Sequence, residues 1–295
     1  MLKRVFIIAN PVARKASKRK IEGALFFLKE KGFSPELLYT KGPGEGIVLG
    51  RSLIKQNNIY AVVAAGGDGT FNEVANALTG TTIPMAILPL GTTNVLAKEL
   101  GIPEDPKEAM ELLNQKIVSL RPGIIKTNGS SRYFLLMAGI GFDAEAVYGV
   151  NKKLKKFSGK FAYILSGARN FIRNRPSSIT LIIDNEEIKA TSAVISKASC
   201  YGGYFKIAPD ATLKEPSLYA VIFIQNTRKA IIRYITGVLM GRHTRFRDVL
   251  YRKSSKVVVP CSCHIQVDGD YFGKGPAEIT EGTEELRFFV PNNFS

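Results

Sequence analysis

Residues 64–73 read AAGGDGTFNE, and this stretch decides how the first part of the chain folds. It follows an apolar run at 60–65 that is typical of a buried strand, and it precedes VANAL at 74–78, which predicts the first turns of a helix. Glycines at such a junction let backbone N–H groups approach an anion closely, and a helix N-terminus favours negative charge. Asp68 cannot hold phosphate itself, so we expect it to hold Mg²⁺ or to orient a polar group beside the phosphates. The stretch therefore indicates a nucleotide site.

This stretch differs from the two commoner phosphate-binding loops. The sequence contains neither Gly-x-x-x-x-Gly-Lys-Ser/Thr nor Gly-x-Gly-x-x-Gly followed by an acid about 20 residues later. The alternative interpretation is an ordinary strand-to-helix turn in which Asp68 caps the helix.

Two other predicted strands end in residues of the same kind. The apolar segment 85–88 runs into PLGTTN at 89–94, and the segment 4–9 runs into Asn10-Pro11 and then basic residues between 14 and 20. In a parallel α/β sheet the carboxyl ends of the strands share one edge, where ligands bind. The three loops together favour one composite site over three unrelated turns.

The chain divides into two regions with different patterns of predicted elements. Up to about residue 121, apolar strands alternate with helical stretches, which predicts a parallel sheet flanked by helices. After Lys126 strand-like segments dominate, which predicts an antiparallel sheet or sandwich. The predicted strands are 4–9, 35–39, 60–65, 85–88, 132–137, 178–184, 187–196, 218–224, 256–259 and 264–267, and the predicted helices are 16–31, 45–57, 70–79, 94–100 and 106–115.

Six short motifs follow one another along the chain: NP at 10–11, GGDGT at 66–70, PLGTTN at 89–94, GIGFD at 139–143, YGGYFKIAPDA at 201–211 and VDGD at 267–270. With these motifs in the family's order, nearly the whole chain resembles the diacylglycerol kinase catalytic-domain family, which includes bacterial lipid kinases and sphingosine and ceramide kinases. NAD kinases and phosphofructokinases share the Gly-Gly-Asp-Gly loop but lack the later motifs.

The resemblance implies an α/β ATP-binding domain at 1–123, joined by a returning C-terminal segment at about 284–295, and a β-rich lipid-substrate domain at 124–283. The implied reaction is transfer of the γ-phosphate of ATP to the hydroxyl of diacylglycerol or a similar lipid, with ATP and Mg²⁺ as cofactors. Two alternatives are an NAD-kinase-like kinase of a soluble substrate and a non-catalytic nucleotide or lipid sensor of the same fold.

The resemblance also assigns site residues. The catalytic base would come from the turn at 268–270, with Asp268 and Asp270 both as candidates, although Asp-Gly is also common in plain hairpin turns. Glu73 and Asn94 would lie next to the nucleotide contacts. The positions matched for ATP contact are Asn10, Thr40, Gly66, Gly67, Asp68, Gly69, Thr70, Phe71, Asn72 and Thr92.

The sequence departs from the family pattern at two places that bear on chemistry. Bacterial members hold a Mg²⁺ away from the nucleotide through a loop that usually reads Leu-Asp-Asp-Gly, whereas this chain has LKEPS at 213–217. Thr212, Glu215 and Ser217 are the candidate metal ligands there, and Lys214 opposes a cation. Gly123 stands where many members carry an aspartate that supports the active site.

Much of the formal net charge of +16 is concentrated in two stretches. No acid occurs between Ala146 and Ile183, and residues 228–256 contain nine cations against Asp248 alone. Apolar residues at 154–172 recur at helical spacing beside Lys152, Lys153, Lys155 and Lys156, which is typical of a core-facing stripe and also of a helix lying on an anionic membrane. Since no nucleic-acid-binding motif accompanies the cations, we expect anionic phospholipid headgroups as partners and not nucleic acid.

The remaining features bear on location. No apolar run approaches the roughly 18 residues that span a bilayer, and the apolar N-terminal segment is too short for a signal peptide. The three cysteines and two histidines do not form a zinc-binding pattern. We therefore expect a reduced cytoplasmic protein of lipid metabolism, peripheral at the inner membrane face; a homodimer is compatible with the sequence.

Overall fold

The computed structural model describes residues 3–11, 16–148 and 177–294. The chain divides into two units, of which unit 1 comprises residues 1–122 and 283–295 and unit 2 comprises residues 123–282. The predicted basic stripe at 154–172, with its four neighbouring lysines, lies outside the described residues, as do Arg14 and Lys15.

Unit 1 is an α/β domain built on one six-stranded sheet. The strands are β1 (Lys3–Ala9), β2 (Phe33–Tyr39), β3 (Ile59–Gly66), β4 (Met85–Pro89), β5 (Lys116–Leu120) and β20 (Leu286–Val290). Their order in the sheet is β2-β1-β3-β4-β20-β5, and all neighbours are parallel except β20 and β5. The helices are α1 (Ala16–Glu30), α2 (Glu45–Ile54), α3 (Asp68–Leu78), α4 (Val95–Glu99) and α5 (Pro106–Glu111), followed by a 3-10 turn at Leu112–Asn114.

The central strands of this sheet end side by side. β1, β3 and β4 are almost wholly buried, which is why their sequences are continuous apolar runs and not alternating ones. Ala9 pairs with Ala65, and Gly66 pairs with Pro89. Because the chain places β2 on one side of β1 and β3 on the other, this edge is a point where the strand order reverses, the usual ligand site of such sheets.

Unit 2 is an antiparallel sandwich of two six-stranded sheets, and apolar side chains from both sheets form one buried core. The first sheet contains β6 (Gly123–Thr127), β7 (Ser131–Phe134), β9 (Ile179–Ile183), β10 (Glu186–Ala190), β16 (Lys256–Val259) and β19 (Ala277–Glu281). The second contains β8 (Met137–Gly141), β11 (Ser192–Ser196), β14 (Leu218–Phe223), β15 (Val249–Ser254), β17 (His264–Val267) and β18 (Asp270–Lys274). The strand orders are β10-β9-β16-β19-β6-β7 in the first sheet and β15-β14-β11-β8-β17-β18 in the second.

Shorter elements complete unit 2. These are α6 (Phe142–Tyr148), the two-stranded ribbon of β12 (Cys200–Tyr201) and β13 (Phe205–Lys206), α7 (Arg228–Leu239) and a 3-10 turn at His243–Arg245. Across the part of the chain that the structure describes, no helix combines the length and the apolar character needed to cross a bilayer.

Two predicted strands of unit 2 are wrong as single elements. The segment predicted at 132–137 contributes to β7 and β8, and the segment predicted at 187–196 contains most of β10 and all of β11. In both cases the two halves belong to opposite sheets. At 132–137 the crossing between sheets falls in the buried apolar run from Phe134 to Met137, and at 187–196 it falls at Thr191 and Ser192, which are buried, so no exposed polar turn marks either crossing.

Candidate active site

The loops that follow β3 and β4 are in direct contact. The backbone N–H groups of Leu90 and Gly91 both donate to the carbonyl oxygen of Gly66, at 2.7 and 3.0 Å. A Cβ atom on Gly91 would lie 2.7 Å from the Cα atom of Gly67. The absence of side chains at these two glycines therefore allows the close approach of the loops.

The carboxylate of Asp68 joins the same two loops through hydrogen bonds. Its Oδ1 accepts from the backbone N–H of Leu96 at 3.0 Å, and its Oδ2 accepts from Oγ1 of Thr93 at 3.0 Å. Asn94 braces the second loop from within, since its Oδ1 accepts from the N–H of Gly91 at 3.0 Å. Asp68 therefore orients the hydroxyl of Thr93, and its contact with Mg²⁺ stays a prediction.

The N-terminus of α3 has the features of an anion site. Gly67 occupies the N-cap position in an extended conformation, and no side chain caps it. The first N–H groups of a helix have no partner within the helix, so they attract an anion together with the helix dipole. A Cβ atom on Gly66 would lie 2.5 Å from Oγ1 of Thr70, which fixes glycine at this position as well.

The other predicted ATP contacts fall into two groups. Asn10 and Thr40 lie at the strand ends, where their N–H groups donate to the carbonyl oxygens of Ala65 (3.1 Å) and Ala9 (2.9 Å), and Thr92 is exposed in the second loop. Phe71 and Asn72 are at most 1% exposed. These two residues therefore present almost no surface to a nucleotide, and the N–H of Phe71 already donates to the carbonyl oxygen of Gly67 at 3.0 Å.

Two residues of this region, Thr93 and Glu73, make hydrogen bonds that the sequence did not predict. Thr93 was indistinguishable from its neighbour Thr92, since only the backbone geometry decides which hydroxyl faces Asp68. Glu73 accepts hydrogen bonds from the N–H groups of Gly44 (2.7 Å) and Gly46 (2.8 Å), so it ties α3 to the start of α2. The spacing GPGEG at 42–46 was the available signal for this second contact.

The acidic turn of unit 2 separates its two carboxylates. Asp268 has a φ of 48°, and its carboxylate accepts from three backbone N–H groups, those of Leu135 (2.8 Å), Leu136 (2.9 Å) and Met137 (2.9 Å). Asp270 keeps 39% of its side chain exposed, and its Oδ2 lies 3.8 Å from Nη2 of Arg132. Asp268 therefore joins the turn to the backbone at residues 135–137, and Asp270 is the carboxylate of this turn that is accessible from solvent.

A partly buried network of side chains supports this turn. Asp143 accepts from the hydroxyl of Tyr201 at 2.7 Å and from Nε2 of Gln266 at 2.9 Å. Gln266 is fully buried, and its Oε1 accepts from the N–H of Gly269 at 2.8 Å. Burial raises the pKa of Asp143, and the two donated hydrogen bonds oppose that rise. A Cβ atom on Gly139 would lie 1.8 Å from Oδ2 of Asp143, which explains the glycine of the GIGFD motif.

The candidate metal ligands do not fit a divalent cation. Two oxygens of Glu215 already accept hydrogen bonds from ammonium groups. The carboxylate oxygen Oε2 accepts from Lys253 at 2.7 Å, and the backbone carbonyl oxygen accepts from Lys197. Ser217 donates to Glu215 at 3.3 Å, and Oγ1 of Thr212 accepts from a backbone N–H at 3.4 Å.

The charges around this loop lead to the same conclusion. Lys197 is 1% exposed, and its Nζ lies 3.0 Å from Oε1 of Glu281. The hydrogen bond from Lys253 lowers the pKa of Glu215. No cluster of three or more metal-ligating side chains occurs within the described ranges 3–11, 16–148 and 177–294. Ammonium groups therefore occupy the positions around Glu215 that a cation would take.

Gly123 faces an aromatic ring. It pairs with Phe134 across β6 and β7, and a Cβ atom at residue 123 would lie 2.1 Å from Cζ of that ring. Phe134 is fully buried, so the ring fills the space that an aspartate side chain at 123 would need. The packing around residue 123 therefore leaves no room for an aspartate side chain.

Comparison with known proteins matches both units. The model of the diacylglycerol kinase catalytic domain matches residues 4–122, and the model of the YegS C-terminal NAD kinase beta sandwich-like domain matches residues 137–290. This chain belongs to the diacylglycerol kinase catalytic-domain family. The predicted resemblance is therefore confirmed, and membership makes the protein a kinase-type phosphotransferase.

Relatives and solved structures agree with this family. A diacylglycerol kinase of Staphylococcus saprophyticus is 29% identical over 301 residues, covering 99% of this chain and 97% of its own. A crystal structure of a diacylglycerol kinase from Bacillus anthracis has a TM-score of 0.71 at 21% identity and covers 98% of this chain and 97% of its own. An NAD kinase from Archaeoglobus fulgidus in complex with ATP has a TM-score of 0.52 at 14% identity, covering 98% and 94%. The structural matches confirm the predicted fold class of an α/β domain with an antiparallel β sandwich.

Proposed function

We propose that this protein transfers the γ-phosphate of ATP to the hydroxyl group of diacylglycerol or a similar neutral lipid. The observation that carries the proposal is the pair of glycine loops in unit 1 that Asp68 holds together beside the uncapped N-terminus of α3. Phosphoryl transfer depends mainly on positioning and on charge stabilisation, and a rigid set of backbone N–H groups supplies both.

We assign nucleotide binding to unit 1 and activation of the lipid hydroxyl to unit 2. Backbone N–H groups at residues 67–70 would hold phosphate oxygens, and Asp68 would keep the two loops at a fixed distance. Mg²⁺ would be held by the phosphates of ATP, whose charge it would neutralise. Asp270 would accept the proton of the attacking hydroxyl, because Asp268 is committed to backbone N–H groups.

A lipid acceptor places the reaction at a membrane surface. The net charge of +16 supports an anionic surface, and we propose the inner face of the cytoplasmic membrane. The acceptor class is supported by the named relatives, which are diacylglycerol kinases.

The proposal is tested by a transfer assay with γ-labelled ATP, Mg²⁺ and mixed micelles that contain diacylglycerol, monoacylglycerol or sphingosine, with soluble NAD in parallel. We expect a labelled lipid product from the native protein and none from Asp68→Ala, because the two loops lose their shared acceptor. A labelled NAD product would support the soluble-substrate alternative. ATP binding without any labelled product would support the sensor alternative, and either result would contradict the proposal.

A further inference from the structure

Helix α7 exposes an apolar face to solvent. Ile232, Leu239 and the C-cap residue Met240 are 55%, 45% and 71% exposed, and their spacing places them on one side of the helix and its C-terminal end. Thr236 lies on the same side, and its hydroxyl donates to the carbonyl oxygens of Ile232 (3.0 Å) and Arg233 (2.9 Å). Because that hydroxyl is satisfied by the helix backbone, moving this face out of water strands no polar group of Thr236.

The opposite side of α7 anchors the helix to unit 2. Ala230, Ile231, Tyr234 and Gly237 are buried. The hydroxyl of Tyr234 donates to Asp248 at 2.6 Å and accepts from the N–H of Gln225 at 3.0 Å. Thr227 caps the N-terminus by accepting from the N–H of Ala230 at 3.2 Å. The exposed apolar side chains therefore lie on a helix that is packed and capped, not on a frayed end.

The segment that carries these apolar side chains is basic. No acidic residue occurs from Gln225 to Arg247, and the next acid, Asp248, is paired with Arg233. Exposed cations stand at both ends of the apolar face, namely Arg228 and Lys229 before it and Arg242, Arg245 and Arg247 after it. A helix with an apolar face bordered by cations suits the interface of an anionic bilayer.

We propose that the α7 face, defined as Ile232, Leu239 and Met240 with the flanking cations Arg228, Lys229, Arg242 and Arg245, docks onto a bilayer that contains anionic phospholipids. The apolar side chains enter the boundary between headgroups and acyl chains, and the cations contact lipid phosphates. This inference rests on the proposed function, because a lipid substrate is the reason for the protein to bind a membrane. The docking itself requires neither ATP nor turnover.

A second copy of the chain suits this face less well. A symmetric contact would bring the same cations of two protomers together, and like charges across an interface oppose association. Three exposed apolar side chains also fall short of the roughly 800 Å² per partner that a stable interface usually buries. A bilayer supplies both the apolar phase and the opposite charge.

The chain lacks tryptophan, so a single introduced tryptophan reports on its own position. We would compare Met240→Trp with Val48→Trp, a control on α2 of unit 1 whose native side chain is 65% exposed. The full chain without nucleotide is mixed with vesicles of phosphatidylcholine alone or with 30% phosphatidylglycerol. We expect a blue-shifted emission for Met240→Trp that brominated acyl chains quench, only with the anionic vesicles, and no change for Val48→Trp. Bound protein with an unshifted Met240→Trp would overturn the proposal, because another surface would then contact the bilayer.

A second set of variants measures the contribution of the face to binding. Ile232→Ser, Leu239→Ser and Met240→Ser together should weaken co-sedimentation with the anionic vesicles at least tenfold, whereas Phe26→Ser with Val48→Ser should leave it unchanged. Circular dichroism and thermal melting check that each variant is folded. Equal binding by the triple variant would contradict the proposal, as would a native dimer that the triple variant dissociates. Transfer of phosphate to micellar lipid is measured separately, so a failed docking result leaves the proposed activity independently testable.

Discussion

Asp268 and Asp270 lie in one turn, but their carboxylates contact different groups, and substitution should separate them. Asp270→Asn should lower turnover about 100-fold or more, the usual contribution of a general base, with ATP affinity unchanged. Asp268→Asn should instead lower stability by about 1–3 kcal/mol, because an amide cannot accept from all three backbone N–H groups. Steady-state phosphate transfer and urea unfolding of both variants measure the two effects. Full turnover in Asp270→Asn would remove it as the base.

The pKa of Asp143 gives a prediction for the dependence of stability on pH. Burial raises this pKa above the ordinary value of 3.8, so the folded protein holds the proton more tightly than the unfolded chain. The stabilisation is complete below the unfolded pKa and is lost as the pH rises through the folded pKa. Subtracting the free energy of unfolding of Asp143→Asn from that of the native protein, at a series of pH values from 3 upward, should give a difference that falls with pH. A flat difference would show that Asp143 does not titrate in this way.

At the scale of single residues, sequence reasoning reached the glycines and Asp68 because their spacing is tied to backbone geometry. It could not separate Asp268 from Asp270, since both are acids in one turn. The distinction comes from N–H groups more than 130 residues earlier in the chain. Tertiary contacts of this kind leave no local pattern, and the same holds for Thr93 and for the link from Gln266 to Asp143.

At the scale of elements, hydrogen bonds from the ammonium groups of Lys197 and Lys253 to Glu215 stabilise the loop at 212–217. Lys197→Met should lower the free energy of unfolding by about 1–3 kcal/mol, because it leaves the partly buried carboxylate of Glu281 and the carbonyl of Glu215 without their donor. Lys189→Met, at an exposed position of β10, is the matched control and should have little effect. Urea unfolding compares the three proteins.

The same loop should be indifferent to Mg²⁺. Without nucleotide, the melting temperature of the native protein should be equal in EDTA and in millimolar Mg²⁺, since binding to the folded state alone would raise it. A rise in melting temperature with Mg²⁺ in the native protein would show that the loop accepts a divalent cation despite Lys197.

The elements of unit 1 follow the sequence more closely than those of unit 2. Parallel strands buried on both faces give apolar runs that polar loops interrupt. In unit 2, β7 is followed by β8, and β10 by β11, with no exposed polar loop between them. The sequence pattern therefore predicted each pair as a single strand. Helix α7 was missed because Ile231, Ile232, Ile235, Thr236 and Val238 are β-branched and typical of strands. Its helical state depends on the Thr227 cap and on packing, which the local pattern does not include.

At the scale of the whole molecule, the last strand ties the end of the chain to its beginning. β20 lies inside the sheet of unit 1, between β4 and β5, and the side chains of Leu286, Phe288, Phe289 and Val290 are at most 1% exposed. The return of this segment was expected from the family resemblance and not from the strand pattern. An apolar segment at the end of a chain has no local signal that assigns it to the first domain.

This connection predicts that unit 1 depends on the final residues, whereas unit 2 does not. Burial of a large apolar side chain contributes about 1.5–3 kcal/mol, so the four in β20 contribute about 6–12 kcal/mol. That amount is comparable with the whole stability of a domain, about 5–15 kcal/mol. A chain ending at Gly282 should therefore lose ATP binding and become sensitive to protease throughout residues 1–122, while a continuous fragment from unit 2 resists digestion. A chain ending at Pro291 keeps β20 and serves as the control, with ATP binding retained. Unit 1 would be independent of β20 if the chain ending at Gly282 still bound ATP with native affinity.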